Sequence, residues 1–455
     1  MNIVFYSTNP TQFCSETFHH YNAPPYKTLI NEVARLYPDD NLFIASQAPG
    51  IFLFDENDTN ISSTLQNVIY ISLQEQQYER IADELYSLAP DIAVAASFWT
   101  PPLDWLSLND ALVAENLSNR GVTVISNSVE TQMLCFDKKM THDFLKSNGF
   151  FTAKSLYIRH SLFWAERNTV EVKENVYKDY IFRELKRLQF PIVVKDTVGL
   201  SSFSVDVLCT FNEAKAYLTS KKNNGDRLID EFIFGEQFGA EVYGRNGQYE
   251  VLGPFKFSVN QYGITSPKQS IRFGPILDEK YSVEKLKQEL LRLATLLNIN
   301  GMCQVDLVFS NTHKKWFIIE VNPRLSGMTK TVSTAYNFNP LLALLDFEKT
   351  FSATRKTAAS AISNQLTMSI KLPLLSKEDL KRLFSFPCVK SVSQTSNDAA
   401  KQRREKGFCE VILASPSKND LKHALEEIEA SFSTPAEKAF FTTAHNFLAQ
   451  AGFHN

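Results

Sequence analysis

Short apolar runs alternate with amphipathic stretches over roughly the first 130 residues, and this alternation constrains the fold more than any other feature of the chain. Strand-like runs fall at 3–6, 42–45, 68–71, 92–95 and 122–126, with helical patterns between them at 26–36, 75–88 and 110–119. Such spacing predicts a parallel, doubly wound sheet. The first run is not followed by a G-x-G-x-x-G sequence, so a dinucleotide site on this sheet gains no support.

With 455 residues the chain has room for about three domains. Its 44% apolar and 21% charged content is that of a globular protein. A net charge of -3 gives no electrostatic preference for nucleic acid or an anionic membrane, so neither is expected as a partner. Apolar runs stay well short of the ~20 residues of a membrane span. The N-terminus reads as a first strand, not a signal peptide. Cys14, Cys135, Cys209, Cys303, Cys388 and Cys409 are scattered, with no C-x-x-C pair and no histidine at zinc spacing. They read as buried thiols of a cytoplasmic protein.

Beyond the first sheet, a charged amphipathic helix is expected over 130–150, ending at the natural C-cap Asn148-Gly149. A polar insert without clear periodicity occupies 161–179. Helices are then expected at 178–188, 212–219 and 283–297, and strands at 191–195, 203–208, 227–234 and 239–243. Residues 357–455 read as a small α+β domain, with strands at 366–371 and 410–414 and helices at 377–384 and 419–431. The basic cluster Lys401-Gln402-Arg403-Arg404 reads as a solvated loop.

The strongest chemical signal is two apolar strands flanking a polar turn, from Gln304-Val305-Asp306-Leu307 to Phe317-Ile318-Ile319-Glu320-Val321-Asn322-Pro323-Arg324. With the turn centred on His313 and no bulge, Asp306 lies directly opposite Glu320, where Cβ atoms are about 5 Å apart. Strand alternation carries Asn322 to the same face. Paired carboxylates repel unless a cation lies between them, and magnesium takes one or two carboxylates together with phosphate oxygens. Pro323 ends the strand. Arg324 beyond it suits a carboxylate or a developing phosphate charge.

The Glu-Val-Asn-Pro-Arg run closely resembles the metal-binding strand of ATP-grasp enzymes. In that family an upstream acid, here Asp306, with the Glu and Asn, here Glu320 and Asn322, holds two magnesium ions; manganese is an alternative. Asp137-Lys138-Lys139-Met140 resembles the family's Asp-Lys helix, whose first lysine, here Lys138, reaches the ATP phosphates. Lys195, closing the run Pro191-Ile192-Val193-Val194-Lys195, matches the second ATP lysine. The loop after it would offer Gly199, Ser201 and Ser202 to the phosphates. It departs from the family pattern, with Asp196 in place of the usual proline and a single glycine. For the adenosine, the resemblance implies Asp230 or Glu231 at the adenine amino group and backbone groups of Phe232 and Ile233 on the ring edge. Gln237 falls at the ribose position, where the family more often has glutamate, and Glu241 points into the same cleft if the strand alternates regularly.

The resemblance covers about residues 122–328. It implies an ATP-grasp fold, α/β and α+β. A parallel N-terminal domain (1–130) would precede a two-lobed ATP-binding region (131–356, its smaller lobe about 131–230 and its larger about 231–356) and a C-terminal α+β domain (357–455). It implies a ligase that activates a small-molecule carboxylate as an acyl phosphate and couples it to an amine acceptor, with Arg324 as the catalytic cation. Ser326-Gly327 after Arg324 and the small C-terminal domain look like the L-amino-acid ligase branch, with an amino acid as the carboxylate and a homodimer as a common state. Lys268 and Arg272, in the segment 260–272, are assigned to the substrate side as carboxylate partners. The alternatives are a carboxylase or carbamoyl-transfer enzyme of the same superfamily, a phosphotransferase, and a non-catalytic nucleotide-binding protein. The first tends to carry a further acid after the arginine, where this chain has Ser326-Gly327.

Overall fold

The computed structural model describes residues 1–8, 19–21, 25–47, 65–97, 105–198, 205–260, 271–356, 365–396, 408–432 and 435–450. The alternation of the N-terminal region resolves into a five-stranded, wholly parallel sheet. Its spatial order is Val68–Leu73, Asn41–Gln47, Asn2–Ser7, Ile92–Ala95, Thr123–Ile125. Both faces are covered, which is why the strands read as continuous apolar runs. Ile3 and Phe5 enter one apolar cluster, Val4 and Tyr6 another on the opposite face.

The cluster that holds Ile3 and Phe5 also contains Tyr243, Met302, Leu325, Met328 and Val332. The parallel sheet thus shares a core with the elements that carry the Asn-Pro-Arg run, and each side chain fully buried there contributes about 2 kcal/mol. A four-stranded antiparallel sheet is ordered Ser155–Ile158, Arg227–Glu231, Ile192–Asp196, Asp206–Leu208. The helices Val176–Leu185 and Phe211–Thr219 cover it.

The third sheet has nine strands, all antiparallel, in the order Lys315–Asn322, Gly301–Ser310, Gly235–Arg245, Gln248–Phe257, Arg272–Gly274, Leu366–Leu372, Phe408–Ser415, Val389–Ser396, His19–Tyr21. It runs without interruption from the metal-strand hairpin into the C-terminal strands. The boundary expected at 356/357 falls at the edge of the described residues, and the basic cluster 401–404 lies outside them. The strand Gln248–Phe257 is not among the sequence expectations, and it contains Gly253-Pro254. The ladder accommodates it: Gly239 pairs Phe255 and Glu241 pairs Leu252, so Gly253 and Pro254 together oppose Ala240. Proline survives inside a strand at such a bulge.

The single helix expected over 130–150 is two, Val129–Phe136 and Lys138–Ser147. Asp137 separates them in an extended conformation, its carboxylate accepting from Lys139 N at 2.7 Å and Met140 N at 3.0 Å. Aspartate is among the strongest N-caps, and it restarts the helix with Lys138 as its first residue. Gly149 takes φ 76° just past the second helix, as its C-cap role requires. Among the described residues no helix is long and apolar enough to cross a membrane.

Candidate active site

The floor of the site is the hairpin of Gly301–Ser310 and Lys315–Asn322, and it reaches the expected pairing by an unexpected route. Ser310 pairs Lys315, Val308 pairs Phe317 and Leu307 pairs Ile318, which centres the turn between Thr312 and His313. Asp306 then pairs Glu320, and Gln304 pairs Asn322, with Ile319 left over as a bulge. The unbulged register centred on His313 is therefore corrected. A bulge restores the Asp306–Glu320 apposition that the offset turn would have lost, since a one-residue slip sends side chains to the other face.

Burial, and after it the charge of Glu320, pushes the Asp306 carboxyl up to about 6. Donors of the chain meet each oxygen-bearing side chain here. Gln304 Nε2 donates to Asp306 at 2.7 Å, Lys138 Nζ lies 3.3 Å from Glu320, and Arg324 Nη2 donates to Asn322 Oδ1 at 3.1 Å. Asn322 Nδ2 in turn donates to Gln304 Oε1 at 2.9 Å. Two opposed carboxylates and an amide oxygen form a hard-oxygen set that fits a divalent cation such as magnesium. Among the described residues no group of three or more His, Cys, Asp or Glu could hold a metal, so an ion here would take its other ligands from water or a bound substrate. Gln304 escaped sequence reasoning, although its position two residues before Asp306 places it on the same face.

Lys138 is tied into the small sheet by its backbone, whose N–H donates to Thr197 O at 2.7 Å. Lys195 ends that sheet's strand Ile192–Asp196, and its Nζ lies 2.6 Å from Asp230 Oδ2, with both residues buried. The pair is diagonal across the ladder, since Asp230 pairs Val193 and Leu228 pairs Lys195. Both acids proposed for the adenine amino group also have partners within the chain. Asp230 is engaged by Lys195 and by Ser155 Oγ at 2.5 Å. Glu231 accepts from Lys154 Nζ at 3.1 Å and Gln189 N at 2.9 Å. The Phe232 N–H donates to Pro191 O at 3.1 Å, so this amide too is committed within the chain. Ile233 follows it in the connection to the next strand. Gly199, Ser201 and Ser202 lie outside the described residues, as does Lys268.

Gln237, Gly239 and Glu241 pair with Val308, Asp306 and Gln304 respectively, which puts all three on the face of the metal-strand carboxylates. Glu241 nonetheless does not open into the cleft as expected. It is 0% exposed, roofed by the segment after Arg324, and accepts from Ser326 Oγ at 3.0 Å, Thr329 Oγ1 at 2.7 Å and Tyr243 OH at 3.1 Å. Burial pushes its carboxyl up to about 7 against those three hydrogen bonds. A carboxyl raised in the folded state stabilises the fold fully below its unfolded value of 4.5 and loses that contribution as pH rises through about 7. Glu241→Gln keeps an oxygen for Ser326 and Thr329 but carries no charge. Melting curves of the variant should therefore lack the fall of a few degrees that the wild type shows between about pH 5 and about pH 8. Parallel pH profiles for the two proteins would contradict this.

Arg272 Nη1 donates to Gly327 O at 2.5 Å and lies 3.4 Å from Glu410. It thus clamps the Ser326-Gly327 segment to the C-terminal strands. On the other side, Asn127 Nδ2 and Gln132 Nε2 both donate to Pro323 O, at 2.9 and 2.8 Å. A small crevice lined by Ser97, Asp110, Asn127, Gln132 and Arg324 opens there, at the carboxyl ends of the parallel strands. Ala95 and Ile125 place it beyond the ends of the neighbouring strands Ile92–Ala95 and Thr123–Ile125.

A family model described as an ATP-grasp domain matches residues 163–328. A carbamoyl-phosphate synthase from Methanobrevibacter smithii is 23% identical over 318 residues, 69% of this chain and 78% of that protein. An L-amino acid ligase from Bacillus licheniformis superposes with a TM-score of 0.64 at 15% identity, over 94% of this chain and 97% of that one. The biotin carboxylase domain of the Hydrogenobacter thermophilus 2-oxoglutarate carboxylase, a dimer in complex with MgADP, ADP and bicarbonate, superposes at 0.58. It is 12% identical over 93% of this chain and 89% of that one.

Proposed function

We propose that the chain, whose residues 163–328 match an ATP-grasp domain model, is a carboxylate–amine ligase. In this reading a carboxylate oxygen of a small substrate, an amino acid, attacks the γ-phosphorus of ATP. The bond from that phosphorus to the β–γ bridging oxygen breaks and ADP leaves. The amine nitrogen then attacks the acyl carbon, phosphate departs with the bond to its bridging oxygen, and the nitrogen gives up a proton to leave an amide.

The observation that carries this reading is the apposition of Asp306 and Glu320, with Lys138 beside one of them and Arg324 beside Asn322. Asp306, Glu320 and Asn322 would hold two magnesium ions, or manganese, which neutralise charge on the transferring phosphoryl group. Lys138 and Lys195 hold the phosphates. The Phe232 carbonyl, the Ile233 backbone groups and the Gln237 side chain face the adenosine. Arg324 steadies the acyl phosphate and the oxyanion that forms when the amine attacks.

A second reading, activation of bicarbonate, is favoured by the sequence match to a carbamoyl-phosphate synthase. One screen separates the two. Phosphate release is followed over amino acids offered singly and in pairs, and over bicarbonate, with mass spectrometry of the products. The ligase reading expects a pair that yields ADP, phosphate and a condensation product. ADP release driven by bicarbonate alone would replace it, and a phosphorylated product without free phosphate would indicate a phosphotransferase.

A further inference from the structure

His142 and Ser155 have no function assigned above, yet Ser155 touches Asp230, the partner of a lysine proposed to hold phosphate, and His142 touches Ser155. Ser155 opens the strand Ser155–Ile158 and pairs directly with Asp230. His142 sits mid-helix in Lys138–Ser147, the helix whose first residue is Lys138. Its Nε2 is 2.9 Å from both Ala153 O and Ser155 Oγ.

The proton positions follow from which atoms can only accept. A carbonyl oxygen has no proton, so the contact with Ala153 O places one on His142 Nε2. Ser155 Oγ has two acceptors in reach, Ala153 O at 3.1 Å and Asp230 Oδ1 at 2.5 Å, and its single proton goes to the shorter, charged contact, so the hydroxyl donates to Asp230 Oδ1. Ser155 Oγ then presents a lone pair to the imidazole N–H. The other Asp230 oxygen, Oδ2, lies 2.6 Å from Lys195 Nζ. An imidazole N–H, a hydroxyl, a carboxylate and an ammonium thus follow one another without a break.

We propose that His142 and Ser155 are positioning residues for Lys195, acting through Asp230. The inference rests on the ATP-dependent reading above. The chain joins the Lys138 helix to the Lys195 strand, and the bond from Lys138 N to Thr197 O joins the same two elements a second time. The two lysines are thereby held at a fixed spacing, as two cations must be if they are to grip phosphates of a single nucleotide. Removing the Ser155 hydroxyl frees one side of the Asp230 carboxylate, which can then rotate and take Lys195 with it. Removing His142 leaves Ser155 without the donor that orients it.

The test measures MgATP binding by calorimetry alongside steady-state kinetics, for wild type, Ser155→Ala, His142→Ala and His142→Gln. Ser155→Ala and His142→Ala should each raise the dissociation constant and the KM for MgATP about tenfold, the scale of one hydrogen bond to a charged group. The KM values for the carboxylate and amine should stay as in the wild type. His142→Gln supplies an amide N–H in place of the imidazole N–H and should restore most of the affinity. Unchanged MgATP binding in Ser155→Ala, or a glutamine variant no better than alanine, would overturn the proposal. A wild type that binds MgATP with this pattern of variants but forms no amide would overturn the ligase reading alone. A wild type that does not bind MgATP would overturn both.

Discussion

Replacing Glu320 by alanine should abolish ADP release while leaving the fold intact. Glu320 is partly exposed, its side chain 23% accessible, so no cavity opens in a core when it is cut back. Its direct opponent is Asp306, a half-buried carboxylate that it repels, and its companion is Lys138 at 3.3 Å. The substitution therefore removes a repulsive pair and a partly exposed ion pair worth little, so the melting temperature should hold or rise. Activity runs the other way. With one carboxylate left, the floor no longer offers the paired oxygens that a divalent cation needs beside phosphate, and Lys138 loses the acid that fixes it. A metal's stabilisation of transition-state charge is worth several kcal/mol, so its loss removes on the order of a thousandfold in turnover. The readings are coupled-enzyme detection of ADP and a thermal melt on one preparation. Wild-type turnover in a folded Glu320→Ala protein would remove the metal assignment.

What the sequence made legible was local and periodic. Five apolar runs gave five parallel strands because both faces of that sheet are covered. The Asp306–Glu320 pairing followed from strand geometry and the family resemblance. The misses share a cause, which is that they depend on partners distant in the chain. Nothing near Ile319 announces a bulge; it arises because the turn closes one half-step off register while Asp306 and Glu320 are still held opposite. Glu241 was read as facing the cleft because its strand alternates correctly. It is removed from the cleft by Ser326 and Thr329, some 85 positions away, folding over it. For Asp230, one of the two acids proposed for the adenine, nothing in the sequence signals that Lys195 and Ser155 meet its two oxygens.

Other misses were legible in principle. The helix opened by Asp137-Lys138-Lys139-Met140 was legible, and setting its strong N-cap against the periodicity of 130–150 would also have divided the longer run. Gln304 shares the face of Asp306 by simple alternation. Asn127 and Gln132 carried no signal at all. Their role, fixing Pro323 beside Asn322 and Arg324, exists only because the end of the parallel sheet packs against the end of the metal strand. The C-terminal strands Leu366–Leu372 and Phe408–Ser415 were foreseen as elements and Val389–Ser396 was not; nor was their continuation of the large sheet through Arg272–Gly274, since a three-residue strand is too short to show a pattern.

Arg324→Ala should separate nucleotide binding from bond formation. Arg324 is 9% exposed and donates to Asn322 Oδ1 at 3.1 Å and to Leu325 O at 3.3 Å, so its guanidinium is held in place by the strand end that it follows. Lys138 and Lys195, which hold the phosphates in this reading, belong to other elements and keep their own partners, Glu320 and Asp230. MgATP affinity should therefore change little. The step that suffers is the one in which negative charge grows on the acyl group, because a fixed, buried cation aimed at a developing oxyanion is worth about a hundredfold to a thousandfold in rate. Lysine in its place retains the charge but cannot reproduce the planar fork that engages two acceptors at once, so Arg324→Lys should recover only part of the loss. The decisive comparison is amide formed per ADP released. If Arg324 only binds ATP, both fall together and their ratio holds; if it steadies the acyl phosphate and the oxyanion, the ratio falls as the activated carboxylate is lost to water. Normal amide yield from the alanine variant would rule out its proposed role.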